Sequence, residues 1–231
     1  MAFGRTNDTV KPSDFLLTGK FYSVDGKQIT GITNPKTIDN RQLCSPTDNQ
    51  GSTPHCAAYS CAQYLESIYW KNTGIPIQLN AKTIFEKAKT LDGLDKNIEG
   101  TTLNAALDAG INLCGWDETK YKTEIFSGDE MTEKNLIEYV KFLIHKHDFM
   151  LTGFTITKSW EKCGRSTSFS VGNTGKVLGG HCVLGCGYDT GNFYIQNSWG
   201  KAWGAYGFGM VPWDIFYDRF EYCAWIKKVH S

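Results

Sequence analysis

The 231-residue sequence predicts an α+β fold. Two observations lead there. Apolar residues recur at helical spacing through the first half of the chain, and after Asp148 the pattern shortens to alternation or to continuous apolar runs. Helices and strands are therefore segregated along the chain, whereas a doubly wound parallel sheet would alternate them.

In chain order, "KFYSVDGKQIT" (20–30) has the pattern of a small hairpin turning at Asp25-Gly26. From Ala57 to about Lys71, apolar residues fall at Ala58, Cys61, Ala62, Leu65, Ile68 and Tyr69, predicting a helix with one buried face. Thr53 is placed to cap it and Pro54 suits its first position. Asn80 caps a second helix carrying Ile84, Phe85 and Ala88, and Thr101 caps a third, with Leu103, Ala106 and Leu107, that stops at Gly110. A fourth, from Thr132 to about Lys146, buries Leu136, Val140, Leu143 and Ile144. Strands follow in "FMLTGFTI", "HCVLGCGYD", "FYIQNSW", "YGFGMV" and "YCAWIKKV", and "SVGNTGKVLGG" (170–180) is expected to be a surface loop.

Composition excludes several classes. With 41% hydrophobic and 21% charged residues the chain can bury a core, and one domain is expected. Lys plus Arg and Asp plus Glu are both 24, so a nucleic-acid or membrane partner is not expected. The motifs call for no metal or cofactor. No stretch approaches the roughly 20 apolar residues of a membrane span, and the start has no signal-peptide core. A cytoplasmic protein, or one exported without a leader, is the expectation. The eight cysteines lack zinc-ribbon spacing and are too sparse for a disulfide-dense mini-fold.

One cysteine stands out. In "NQGSTPHCAAYSC" (49–61), Cys56 lies in the first turn of the first predicted helix, where unpaired backbone N–H groups and the helix dipole favour a thiolate. A nucleophile also needs a base. His145 and His147 follow a helix end that welcomes a cation, His230 is next to the terminus, and His55 points to a different face from its neighbour Cys56. His181 remains, at the start of an apolar strand behind Gly179-Gly180, where a satisfied core histidine is the plainer explanation. "NSWGKAWGAYGFG" (197–209) supplies what that explanation lacks. The chain leaves His181, turns at "YDTGN" and returns to lay Asn197 beside the imidazole, with Trp199 to cover the hydrogen bond.

Taken together, these residues resemble the papain-like cysteine peptidases. The pattern is Gln50, Gly51 and Cys56; then Gly180 and His181; then Asn197, Ser198, Trp199, Gly200, Trp203 and Gly204. Similarity extends over roughly residues 38 to 230 and includes "DNRQLCSPTDNQG" and "EGTTLNAAL". The resemblance implies a helical N-terminal lobe (about 50–118) and a strand-rich C-terminal lobe (about 119–231) with an active-site groove between them. It implies that Cys56 is the nucleophile, His181 the general base and then acid, Asn197 its orienter, and Gln50 an oxyanion donor beside the Cys56 N–H. A protein or peptide substrate would lie extended in the groove, against the Gly100 backbone, Gly180 and Trp199, and a monomer is expected.

The sequence departs from the family at Thr53, where a cysteine usually stands, and at His55 and Ala57, which replace a small residue and a tryptophan beside the nucleophile. Residues 1–37 are expected to form an extension with the hairpin, too short for the family's helical inhibitory segment. Cys163 and Cys223 lie where the family often has a bridge; the other cysteines are expected as thiols. The same triad on another acyl group, as in a deamidase, transglutaminase or thioesterase, and an inactive binding scaffold are the alternatives.

Overall fold

The computed structural model describes residues 21–22, 28–29, 33–129 and 131–228. Two short strands, β1 (Phe21–Tyr22) and β2 (Gln28–Ile29), pair antiparallel, while the predicted turn at Asp25-Gly26 lies outside the described residues. β3 (Ile38–Asp39) and a 3-10 turn (Arg41–Leu43) lead to three helices, α1 (Cys56–Thr73), α2 (Ala81–Ala88) and α3 (Leu103–Leu113). Then come β4 (Tyr121–Ser127), α4 (Glu133–His147), β5 (Met150–Thr157), β6 (Val177–Tyr188), β7 (Asn192–Gln196), β8 (Phe208–Pro212), α5 (Trp213–Arg219) and β9 (Phe220–Lys228).

α1 is buried on almost every side over its first three turns, not on the single face that its apolar spacing predicts. It is clamped between the sheet and the two helices that follow it. Its polar residues therefore need partners inside the protein. The Ser60 hydroxyl donates to the Cys182 carbonyl at 3.0 Å, Tyr64 Oη accepts the Ile226 N–H at 2.9 Å, and Ser67 Oγ accepts the Ser45 N–H at 2.9 Å. Glu66, only 3% exposed, accepts the Leu79 N–H at 2.7 Å.

The helix starts differ from expectation in two places. α1 begins at Cys56 with His55 as its N-cap, because the Thr53 hydroxyl is spent on the Gln50 carbonyl at 2.7 Å. α3 is capped by Thr102, since Thr101 Oγ1 donates to Asp92 instead, and it runs through Gly110 to Leu113. Gly110 is there for contact. A Cβ at that position would lie 2.5 Å from Leu65 Cδ1 and 2.9 Å from Cys61 Sγ, so glycine lets α3 lie close against α1. The caps of α2 by Asn80 and of α4 by Thr132 fall where the sequence places them.

Seven strands form one antiparallel sheet in the order β4-β9-β5-β6-β7-β8, with β3 added against β6. β6 is longer than predicted. Residues 177–180, expected in a loop, belong to β6: Gly180 and Gly179 pair with Thr155 and Ile156 of β5 and, past a bulge, Val177 pairs with Thr157, which puts His181 inside the strand rather than at its start. β4 and α5 are additional to the predicted elements. On the outer side of β8, Met210 donates to Phe169 O (2.8 Å) and accepts from Val171 N (2.9 Å). On β4, the Thr123 hydroxyl donates to Asp108 of α3 at 2.6 Å.

Two tests follow from the buried helix. Gly110→Ala improves helix propensity yet should lower stability by about 1–3 kcal/mol, because Leu65 and Cys61 must move; urea unfolding measures it. Burial pushes the Glu66 carboxyl up to about 7 from an ordinary 4.5, partly offset by the Leu79 N–H. A carboxyl raised in the folded state gives stability that is complete below pH 4.5 and is lost as pH climbs through about 7. Glu66→Gln should therefore match the parent near pH 4.5 and exceed its melting temperature by roughly a few degrees at pH 8, as read by thermal scans at both pH values.

Candidate active site

The site assembles from three pieces of chain. The first is the turn before α1. Gln50 N donates to Ser198 O at 2.8 Å, and Thr53 N returns to Gln50 O at 3.1 Å. The Gln50 side chain is buried, and its Nε2 donates to the Thr53 carbonyl at 2.8 Å. A carbonyl only accepts, so that contact fixes which end of the amide is nitrogen. The other end, Oε1, accepts from the Ser198 hydroxyl at 2.7 Å.

Cys56, fully buried, is the first residue of α1. It precedes Ser60 by one turn on the same face, and Ser60 is bonded to Cys182, the residue after His181. The helix start is thus directed at the part of β6 that carries the histidine.

His181 and Asn197 form the second and third pieces. β6 and β7 pair with Leu184 opposite Gln196, which brings the end of β7 back alongside His181. His181 Nε2 and Asn197 Oδ1 are 2.8 Å apart, and both residues are fully buried. Asn197 Oδ1 also accepts the Ser198 N–H at 2.8 Å. A backbone N–H can only donate, so the Asn197 atom facing it is oxygen, and His181 Nε2 is then the protonated nitrogen. Nδ1 becomes the nitrogen that can exchange a proton.

The Trp199 ring lies tilted over His181 with centroids 4.7 Å apart and meets Trp203 edge-on at 5.9 Å. Trp203 Nε1 donates to Trp160 O at 2.8 Å. Gly204 has φ +56° and no room for a side chain, since a Cβ would lie 2.1 Å from Phe208 O. These contacts explain the Trp-Gly pair that follows the asparagine.

Among the predicted contact residues, Gly180 lies on β6 opposite Thr155, and Gly100 is buried, with φ +88°, two residues before the cap of α3. His55 stacks on Phe85 at 3.8 Å, and burial lowers its pKa. His147 does not serve as a cation at the end of α4: burial pushes it down to about 4, beside Trp225. The sequence motif includes Ser198 but assigns it no role; its side chain holds one amide while its backbone N–H orients the other.

None of the eight cysteines is in a disulfide. Cys163 and Cys223, the pair whose state the sequence leaves open, are both thiols. Cys163 Sγ donates to Phe169 O at 3.2 Å, and burial pushes its thiol up to about 12, while Cys223 is buried on β9 opposite Phe126 and Thr152. Among the described residues no His, Cys, Asp and Glu group is placed to hold a metal ion, and no helix is long and apolar enough to cross a membrane.

A buried His–Asn pair at neighbouring strands β6 and β7, with a central helix that opens with cysteine packed against β6, belongs to a papain-like α+β architecture. Xylellain, a cysteine protease from Xylella fastidiosa, superposes with a TM-score of 0.69 at 17% identity, covering 99% of this chain and 97% of that one. Procathepsin B S9 from Trypanosoma congolense gives 0.59 at 14% identity over 87% of this chain and 79% of its own. In sequence, the chain is 27% identical over 204 residues to cysteine proteinase 2 of Zea mays, covering 77% of this chain and 55% of that protein. It is 26% identical to the oryzain gamma chain of Oryza sativa subsp. japonica, over 75% and 54% respectively. The chain is therefore a relative of the papain-like cysteine proteinases and shares their fold, and it spans about half the length of these plant relatives. No protein-family model matches it.

The Ser198 hydroxyl gives this site a direct test. Ser198→Ala removes a buried donor from Gln50 Oε1 and should cost about 1–2 kcal/mol of unfolding free energy with the fold retained. Urea titration reads the effect, and an unchanged midpoint would mean that the bond does not hold Gln50 in solution.

Proposed function

We propose that the chain is a cysteine endopeptidase in which Cys56, His181 and Asn197 act as a triad and Gln50 supplies the oxyanion site. The observation that carries this reading is the 2.8 Å contact between His181 Nε2 and Asn197 Oδ1, buried beneath Trp199. It selects the tautomer whose Nδ1 can take a proton from a thiol. Residues 38–231 form the peptidase domain in this reading, with lobes of about 50–118 and 119–231, and residues 1–37 are an extension.

The thiol proton moves from Cys56 Sγ to His181 Nδ1, and the sulfur attacks the carbonyl carbon of a bound peptide. Negative charge then gathers on the former carbonyl oxygen, where Gln50 Nε2 and the backbone at the start of α1 donate to it. The tetrahedral adduct collapses, the C–N bond breaks, and Nδ1 returns the proton to the leaving amine. Water next attacks the thioester and gives a proton to Nδ1, and the acid departs as the thiol re-forms. The peptide lies extended, with the Gly100 backbone on one side and Gly180 and Trp199 on the other.

Incubation with a library of unstructured peptides, with products read by mass spectrometry, tests the reading. Backbone cleavage supports it, a one-dalton side-chain change points to deamidation, and no change favours a binding scaffold. Gln50→Ala should lower kcat/KM by about 10²- to 10³-fold with folding intact, and Asn197→Ala by less, because the asparagine orients the base without entering the bond changes. Full turnover in Gln50→Ala would place the oxyanion site elsewhere.

A further inference from the structure

We infer that Cys44 and Cys186 form a dithiol site that a small-molecule disulfide converts into an intramolecular disulfide. The two side chains are near enough to interact, Cys186 being among the causes that raise the Cys44 thiol, and the backbone around them holds both in place. Cys44 follows the 3-10 turn Arg41–Leu43 and stands six residues before Gln50; Cys186 lies on β6, five residues after His181. Neither is a residue of the proposed triad.

The backbone keeps them together independently of the sulfur contact. Asn40 is tied to both: its N–H donates to Cys186 O at 3.0 Å, and its carbonyl accepts from Cys44 Sγ at 3.6 Å. Just before it, Ile38 and Asp39 pair with Tyr188 and Gly187 of β6. Gly187 permits that approach, because a Cβ there would lie 2.4 Å from Ile38 O. Just after Cys44, Ser45 donates its N–H to Ser67 Oγ at 2.9 Å and accepts from Gln196 Nε2 at 2.7 Å. The segment carrying Cys44 is held against β6 from both sides. In the reduced chain the Cys186 thiol donates to Tyr194 O at 3.5 Å, so both thiols of the pair rest on backbone oxygens of the two segments that hold them together.

The chemistry is a two-step exchange. The Cys44 thiolate attacks one sulfur of the small disulfide, forming a mixed disulfide and releasing one small thiol. Cys186 then loses its proton and attacks Cys44 Sγ, expelling the second small thiol and leaving the Cys44–Cys186 bond. The protein gives up two electrons and two protons, and the oxidant becomes two thiols. Burial sets the timing: both sulfurs are almost fully buried, and desolvation raises the Cys44 thiol well above its ordinary range. Exchange is slow in the closed protein and fast while the chain folds or when the segment at 40–48 lifts from β6.

The experiment compares reduced protein refolded from urea in oxidised glutathione with the same protein refolded in dithiothreitol. Remaining thiols are blocked with N-ethylmaleimide, and the unreduced digest is read by mass spectrometry. The expected result is a loss of two thiols, one cross-linked peptide pair joining Cys44 to Cys186, and a melting temperature higher by roughly 10 °C that dithiothreitol reverses, as closing a loop of about 140 residues implies. Cys44→Ala and Cys186→Ala should each abolish the gain, while Cys163→Ala keeps it; the digest of the unmutated chain decides the matter even if a variant fails to fold. A cross-link between any other pair, Cys163 and Cys223 included, or no loss of thiols after oxidative refolding, overturns the inference.

Discussion

The structure depends on one demand: a helix carrying serines, a tyrosine and a glutamate is buried almost all round, so those groups must find partners in the protein. Ser60 takes the Cys182 carbonyl, Tyr64 the Ile226 N–H, Ser67 the Ser45 N–H and Glu66 the Leu79 N–H. Apolar contact alone lets a helix slide or turn in its groove. Directional bonds to two strands and two connecting segments do not. They fix the depth and rotation of α1, and with them the place where its first residue meets β6.

A second layer of bonds governs the amides. Asn197 and Gln50 each have an oxygen and a nitrogen end, and a half-turn of either would reverse the chemistry it offers. Ser198 prevents both reversals, through its N–H to Asn197 Oδ1 and its hydroxyl to Gln50 Oε1. The Thr53 carbonyl completes the assignment at Gln50 Nε2. Residues far apart in sequence are set by one intervening serine, a contact that spacing alone does not disclose.

The α+β class, four of the five helices and the five later strands are legible in the sequence because their patterns are long and strongly periodic. β4 was not, since in "YKTEIFS" the alternation is short and only Phe126 is buried, and α5 is too short for a helical period. Thr53 and Thr101 show another limit. Each has the side chain of a cap, but each hydroxyl is claimed by a neighbouring turn or carboxylate. Gly110 has the look of a helix end and is instead a point of helix contact, which only the distance to Leu65 shows. The glycines of 179–180 suggest a loop, yet β5 recruits them into β6. The His–Asn proximity was readable because it follows from a single hairpin, whereas the Cys44–Cys186 contact depends on β3 joining the sheet across about 150 residues of chain.

The two outer strands of the sheet have a consequence for how the protein behaves in a crowd. An open strand edge is a template on which another chain can add and begin aggregation. Here β8 spends the N–H and C=O of Met210 on the loop at Phe169–Val171. At the opposite side β4 is bound to α3 through Thr123 and Asp108, and Lys122 and Glu124 stud it with charge. Seven strands thus end in a strip of loop and a charged, helix-tethered margin, both of which discourage further strand addition and keep the hydrogen-bonding capacity of the sheet directed inward.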